Sequence, residues 1–207
     1  IEPNASGLGG DGYMMVYDAA TRKSVFIDYK ATAPAAFTLS YYKSLKSPDQ
    51  YTGNGVLVPG TIAGLYKANE LYGSMPFGEL LQPAIDYAEY GIPVTQHMAD
   101  VYVDNYDLIN NYPETARIFL KDGFPYAEGE IYKNPDFAQT LKLIAKDGPD
   151  AFYKGKIAED IVSSVREVGG VMTMQDMANY SVSIREPVST TYRGYNIVTC
   201  SPESCGV

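Results

Sequence analysis

The sequence predicts an α+β fold in which two sets of short strands flank a long helical lobe, all within one domain spanning residues 1–207. Three features carry that prediction. A cluster of glycines (Gly7, Gly9, Gly10, Gly12) feeds the apolar and aromatic run Tyr13-Met14-Met15-Val16-Tyr17. Helix-period text, with caps and stops, runs over about 59–178. Strand character then returns over about 181–200.

The run from Tyr13 to Tyr17 is continuous rather than alternating, which suits a central strand buried on both faces. A polar connection, Asp18 to Lys23, leads to a second strand at Ser24–Tyr29, and the economical pairing is a hairpin over 12–29. Ala33-Pro34 ends regular structure, because proline cannot donate to a ladder and restrains its predecessor. Thr38 to Gly55 reads as a surface connection.

In the lobe, Ile62, Leu65, Ala68 and Tyr72 share one helical face, and Gly73 is placed to stop that helix. Pro76 opens a helix on which Leu80, Ala84 and Tyr87 stack, closed by Gly91 and Pro93. Thr95 caps a third helix striped by Met98, Val101, Tyr102, Ile109 and Tyr112. Asp122-Gly123 is a turn. Asn134-Pro135 caps and opens a helix lined by Phe137, Leu141 and Ile144. Ile157, Ile161, Val165 and Val168 repeat the pattern up to Gly169-Gly170, and Thr173 with Asp176 approximates a capping box. Arg193-Gly194 then sits between two β-rich runs as a hairpin turn, and both strand sets are expected in one sheet.

Composition narrows the function classes. With 45% hydrophobic and 20% charged residues the chain can build a sizeable core. A net charge of −9 repels phosphate backbones and argues against nucleic acid as a partner. No apolar run approaches the length of a membrane span. Cys200 and Cys205 are too few for a disulfide framework, so the compartment stays open. The 19 tyrosines, with no tryptophan, read as core and interface filler with polar tips.

Gly7-Leu8-Gly9-Gly10-Asp11-Gly12 satisfies the pattern G-x-G-x-x-G, but its context is wrong for a dinucleotide. That fingerprint needs a strand before it and a helix after it, so that the helix N-terminus meets the pyrophosphate. Here a strand follows, and Asp11 would direct its charge at a phosphate.

The same stretch resembles the large-subunit segment of the γ-glutamyltransferase family, within the N-terminal-nucleophile hydrolases. Glu2-Pro3, Ser6-Gly7-Leu8-Gly9-Gly10, Gly12 and Tyr13 occupy the places of that family's acidic-Pro and Ser/Thr-Gly-Ile/Leu-Gly-Gly-x-Gly-Phe elements. Asp28-Tyr29-Lys30-Ala31-Thr32-Ala33-Pro34 stands where the family has Asp-x-Arg-Glu-x-Ala-Pro. Val58-Pro59-Gly60 with Gly64-Leu65, Leu80-Leu81-Gln82-Pro83-Ala84-Ile85 and Gly91-Ile92-Pro93-Val94 match further blocks. So do Asn134-Pro135-Asp136, Gly148-Pro149-Asp150-Ala151-Phe152-Tyr153 and Arg185-Glu186-Pro187 with Tyr192-Arg193-Gly194-Tyr195. The resemblance implies part of an α-β-β-α sandwich and the cleavage of γ-glutamyl amides, with the γ-glutamyl group passed to water or an acceptor amine. It implies no cofactor and no metal.

In the family the nucleophile is a threonine made N-terminal by self-cleavage, its α-amine serving as base. The resemblance implies that this threonine lies downstream of the last matched block, on a small subunit that is this chain's partner. The chain alone is therefore expected to be inactive, with no catalytic residue of its own. Thr190-Thr191 is not that nucleophile, because a tyrosine and an Arg-Gly turn follow it and paired threonines are ordinary strand residues.

One substrate-binding position is expected within the chain. The family arginine of Asp-x-Arg-Glu grips the glutamyl α-carboxylate; Lys30 occupies its place and Ala31 replaces the acidic neighbour. Arginine meets a carboxylate with a planar fork, whereas lysine offers a compact charge on a flexible stem. That departure keeps two alternatives open, a related acylase with another acyl donor and a non-catalytic binding domain. His97 stands without ligand partners at metal-binding spacing, and Asp100, Asp104 and Asp107 read as a solvated helix face. Cys205 has no base nearby in sequence, and the glycine loop reads first as scaffolding for close packing.

Overall fold

The computed structural model describes residues 7–46 and 52–200; Glu2-Pro3, Ser6 and Cys205 lie outside them. Along the chain, β1 (Gly12–Asp18) and β2 (Lys23–Tyr29) lead to the helices α1 (Leu39–Ser44), α2 (Thr61–Tyr72) and α3 (Phe77–Tyr90). The two-residue strand β3 (Ile92–Pro93) precedes α4 (Gln96–Asp104), α5 (Tyr106–Asn110) and α6 (Pro113–Phe119). Three more two-residue strands follow: β4 (Leu120–Lys121), β5 (Phe124–Pro125) and β6 (Ile131–Tyr132). Then come α7 (Pro135–Asp147), α8 (Pro149–Tyr153), α9 (Lys156–Glu167) and α10 (Met174–Ala178). The strands β7 (Ser183–Arg185), β8 (Val188–Tyr192) and β9 (Tyr195–Thr199) complete the order.

These elements form two compact units, one of residues 75–147 and one built from the segments on either side. The helical text of 59–178 is thus shared between them: α2 and α8 to α10 belong with β1, β2 and β7 to β9, and α3 to α7 with β3 to β6 form the other unit.

In the strand-bearing unit, β1, β2 and β7 make an antiparallel sheet in that order. The predicted hairpin is present, with Gly12 opposite Tyr29 and Asp18 opposite Lys23. Its turn is held by the Asp18 carboxylate, which accepts from the Ala20 N–H at 2.9 Å and from the Thr21 hydroxyl at 2.7 Å. Among the described residues the central strand is β2, not β1. Phe26 and Ile27 are fully buried, while Met15 and Tyr17 on β1 are exposed, so the continuous run in β1 does not mean burial on both faces. The second strand set divides: β7 joins the sheet, and β8 with β9 forms a separate two-stranded ladder. Its turn residues Arg193 and Gly194 both have positive φ, the geometry a two-residue hairpin demands.

α2 packs on β2 through Gly64, where an added Cβ would lie 2.1 Å from the Tyr29 ring. This helix buries Ile62 and Gly64 and leaves Leu65 and Tyr72 on the exposed side, contrary to the four-residue stripe expected. α9 buries Ala158, Val162 and Val165; of the expected stripe Val165 is buried, Ile157 and Ile161 are half-buried and Val168 is exposed. Gly169 ends it at positive φ, and the Thr173–Asp176 capping box is complete on α10. The expected surface connection after Thr38 contains the short helix α1, capped by the Thr38 hydroxyl.

In the other unit, α3 packs against α7 along Ile85 and Ala88, while Leu80 and Tyr87 of the expected stripe are exposed. α3 carries apolar residues on two faces, and α7 selects one of them. Thr95 and Asn134 cap α4 and α7 as expected, accepting from the N–H groups of Met98 and Phe137. The predicted third helix is interrupted at Asn105 and becomes α4 and α5. A tyrosine-rich core gathers Val94, Met98, Tyr102 and Tyr132, with Phe119 stacked on Tyr132 at 5.9 Å.

Candidate functional site

The strand-bearing unit brings the glycine loop, the end of β2 and the start of α2 together. The loop closes on itself with the Gly10 N–H donating to the Gly7 carbonyl at 3.1 Å. The Gly10 carbonyl then accepts from the N–H groups of Gly60 and Thr61 at 3.0 and 3.1 Å, satisfying the first donors of α2, which has no side-chain cap. Gly60 has no room for a side chain, since a Cβ would sit 1.9 Å from the Tyr29 carbonyl oxygen. The loop is a scaffold for this junction. The helix start that a pyrophosphate would need is occupied by protein, and a strand follows the loop, as the sequence context demands.

Lys30 projects at this junction. Its Nζ lies 3.1 Å from Asp11 Oδ1 and 3.0 Å from Oδ2. Asp11 Oδ2 also accepts from the Ala31 N–H at 2.9 Å, so the loop carboxylate holds both the side chain and the backbone that follows. The Tyr13 ring lies 5.8 Å from the Lys30 ammonium. The Lys30 side chain is 54% exposed and that of Asp11 23%, so the pair is open to a ligand.

The backbone of Lys30 is fixed from two further sides. Its N–H donates to Asp28 Oδ1 at 3.0 Å, and its carbonyl accepts from the Tyr180 hydroxyl at 3.0 Å. Among the described residues Asp28 is the one charged residue in the buried set, and its other oxygen lies 3.1 Å from Arg185 Nη2, compensating its charge. Tyr180 stacks on Tyr153, whose hydroxyl donates to the Pro59 carbonyl at 2.8 Å. Burial pushes the Tyr153 phenol up to about 12, and burial then the Asp11 charge raises that of Tyr29. These tyrosines stay protonated at neutral pH and act as fixed donors and packing surfaces.

The other candidates are not brought to this place. Thr190 and Thr191 lie exposed in the β8–β9 ladder, paired with Ile197 and Asn196, so each has a peptide N–H and no free α-amine. His97 is exposed near the start of α4, and Asp100 accepts from Gln96 on the same helix. Among the described residues no group of three or more His, Cys, Asp or Glu side chains converges to hold a metal. No described helix is long and apolar enough to cross a membrane. The link between Asp11 and Lys30, and that between Arg185 and Asp28, are not legible in the sequence. Both pairs join residues far apart in the chain, and only the opposite signs of their charges offered a clue.

A sequence model of the family described as Gamma-glutamyltranspeptidase matches residues 1–207. The chain belongs to the gamma-glutamyltranspeptidase family. The glutathione hydrolase proenzyme of Bacillus subtilis strain 168 is 38% identical over 211 residues, which cover 99% of this chain and 36% of that protein. Among solved structures, the gamma-glutamyltranspeptidase of Helicobacter pylori is 30% identical with a TM-score of 0.87, covering 99% of this chain and 60% of that one. The transpeptidase enzyme CapD of Bacillus anthracis is 35% identical with a TM-score of 0.80, covering 98% and 62%. The chain thus spans about a third of the length of the curated relatives it matches. Its fold is that of part of a gamma-glutamyltranspeptidase, an N-terminal-nucleophile hydrolase of mixed helices and strands.

Proposed function

We propose that the whole protein carrying this chain cleaves γ-glutamyl amides, glutathione-type donors among them. It passes the γ-glutamyl group to water or to an amino-acid or peptide acceptor. The attacking group in this reading is an N-terminal threonine on polypeptide outside residues 1–207, with its own α-amine as base. Lys30 holds the donor's α-carboxylate. The observation that carries the reading is the fixation of Lys30 at the mouth of the glycine loop, with its side chain on Asp11 and its backbone on Asp28 and Tyr180. Orientation of the donor by such a clamp is what converts a bound amide into a near-attack geometry. Release of p-nitroaniline from γ-glutamyl-p-nitroanilide by the whole protein tests it. No release, with cleavage of other acyl anilides, sinks it.

A second reading is an acylase of the same fold with a different acyl donor. It is favoured by the ammonium at Lys30, which cannot grip a carboxylate with two parallel bonds as a guanidinium does. A panel of acyl anilides separates the two readings by the order of kcat/KM.

A further inference from the structure

Asp11 stands at the variable position of the glycine motif, and its carboxylate touches the one side chain assigned to substrate. Two opposite charges therefore lie in contact at the surface where the donor's head group is to bind. A ligand carrying only a carboxylate meets Lys30 with an uncompensated repulsion from Asp11, a few ångströms behind the ammonium. A ligand carrying both a carboxylate and an ammonium, one carbon apart, can lie antiparallel to the pair. Its carboxylate then faces Lys30 Nζ and its ammonium faces Asp11. The Asp11 oxygens have acceptor capacity for this, since a carboxylate offers about four lone-pair sites and accepts here, among the described residues, from the Lys30 ammonium and the Ala31 N–H.

We propose that Asp11 is a specificity-determining residue that makes this subsite select acyl donors with a zwitterionic α-amino-acid head over donors with a bare carboxylate. The inference rests on the assignment of Lys30 to the donor carboxylate. It adds a second charge to that subsite, supplied by the glycine loop. The loop's closure through Gly10 and the start of α2 fixes where that charge sits, so selectivity comes from a rigid element. Ala31 contributes through its backbone alone, donating its N–H to Asp11.

The test uses the whole protein and the variant Asp11→Asn, which is isosteric and keeps an oxygen for the Ala31 N–H. Steady-state kinetics are measured with γ-glutamyl-p-nitroanilide and glutaryl-p-nitroanilide, which differ only by the α-ammonium. The expected result is a fall of about tenfold in the ratio of kcat/KM for the glutamyl over the glutaryl donor, carried by KM. That is the sum of a lost attraction and a relieved repulsion, each the size of a partly exposed charge pair. A ratio unchanged within about twofold, with the glutamyl donor still cleaved, overturns the role of Asp11 and leaves the proposed function standing. If the unsubstituted protein cleaves neither anilide, the proposed function fails, and calorimetric binding of L-glutamate and glutarate decides the role of Asp11. A preference for glutamate that disappears in Asp11→Asn supports it, and equal binding of the two by the unsubstituted protein overturns it.

Discussion

Tyr153 and Tyr180 lie ring on ring, with centroids 5.4 Å apart and planes within 6° of parallel. Their hydroxyls diverge to two different backbone carbonyls, Pro59 before α2 and Lys30 after β2. The pair thus couples the Val-Pro-Gly turn to the proposed carboxylate-binding residue. Removing each hydroxyl should have a different effect. Tyr153→Phe strips the Pro59 carbonyl of a buried donor and should cost about 1–3 kcal/mol in urea unfolding. Tyr180→Phe keeps the stack and should cost about 1 kcal/mol, but raise KM for carboxylate-bearing donors with kcat little changed. A Tyr180→Phe protein with unaltered KM would limit that residue to a structural role.

Lys30 itself is the sharpest kinetic target. Lys30→Met keeps the length of the stem and removes the charge. It should lower kcat/KM for γ-glutamyl-p-nitroanilide by about tenfold to a hundredfold, the worth of a hydrogen bond to a charged group. Lys30→Arg should retain or improve KM, because the guanidinium fork suits a carboxylate. If Lys30→Met leaves kcat/KM intact, Lys30 does not touch the donor.

Gly64 opposes two effects of known size. Alanine in a helix interior is favoured over glycine by about 1 kcal/mol. Here the new methyl would meet Tyr29 Cγ at 2.1 Å, and Tyr29 is the last residue of β2, against which α2 packs. Overpacking of this kind costs about 1–3 kcal/mol, so Gly64→Ala should lower Tm despite its better propensity. A raised Tm would show that Tyr29 moves aside freely.

Asp176 predicts a pH dependence. Burial raises its pKa, but the N–H of Ala35 and the hydroxyl and N–H of Thr173 outweigh that and hold the carboxyl below its usual value. A lowered folded-state pKa means that the stabilisation is fully present above the unfolded value, about 3.9. It fades as pH falls through the folded value. Asp176→Asn should cost about 1 kcal/mol at neutral pH. Its gap to the unsubstituted protein should stay level from about pH 7 to 5 and shrink below about pH 4. A gap independent of pH down to acid unfolding would remove the ionised carboxylate from the account.

Local chemistry was legible wherever a signal acts within a few residues. Thr95 and Asn134 cap their helices, Thr173 and Asp176 box α10, Gly73 and Gly91 stop α2 and α3, and Arg193-Gly194 turns the last hairpin. Each is a hydrogen bond or a backbone angle between near neighbours. Asp122-Gly123 is likewise the turn its residues announce, although the two-residue strands beside it carry too little pattern to be seen.

The sequence by itself determined the hairpin of β1 and β2, the longer helices α2, α3, α4, α7 and α9 with most of their ends, the return of strands after α10, and, through its matched blocks, the family and the position of Lys30. Tertiary structure alone decided which apolar face α2, α3 and α9 bury, whereas α4 and α7 bury the expected residues Met98, Tyr102, Leu141 and Ile144. It also placed β2 rather than β1 in the middle of the described sheet, kept β8 and β9 apart from it, and put Asp11 on Lys30 and Arg185 on Asp28. The physical reason is range. A cap or a turn is settled by bonds that close within one loop of chain. Where a helix offers two apolar faces, as α3 does with Leu80 and Tyr87 against Ile85 and Ala88, the choice falls to whatever surface the rest of the chain brings against it.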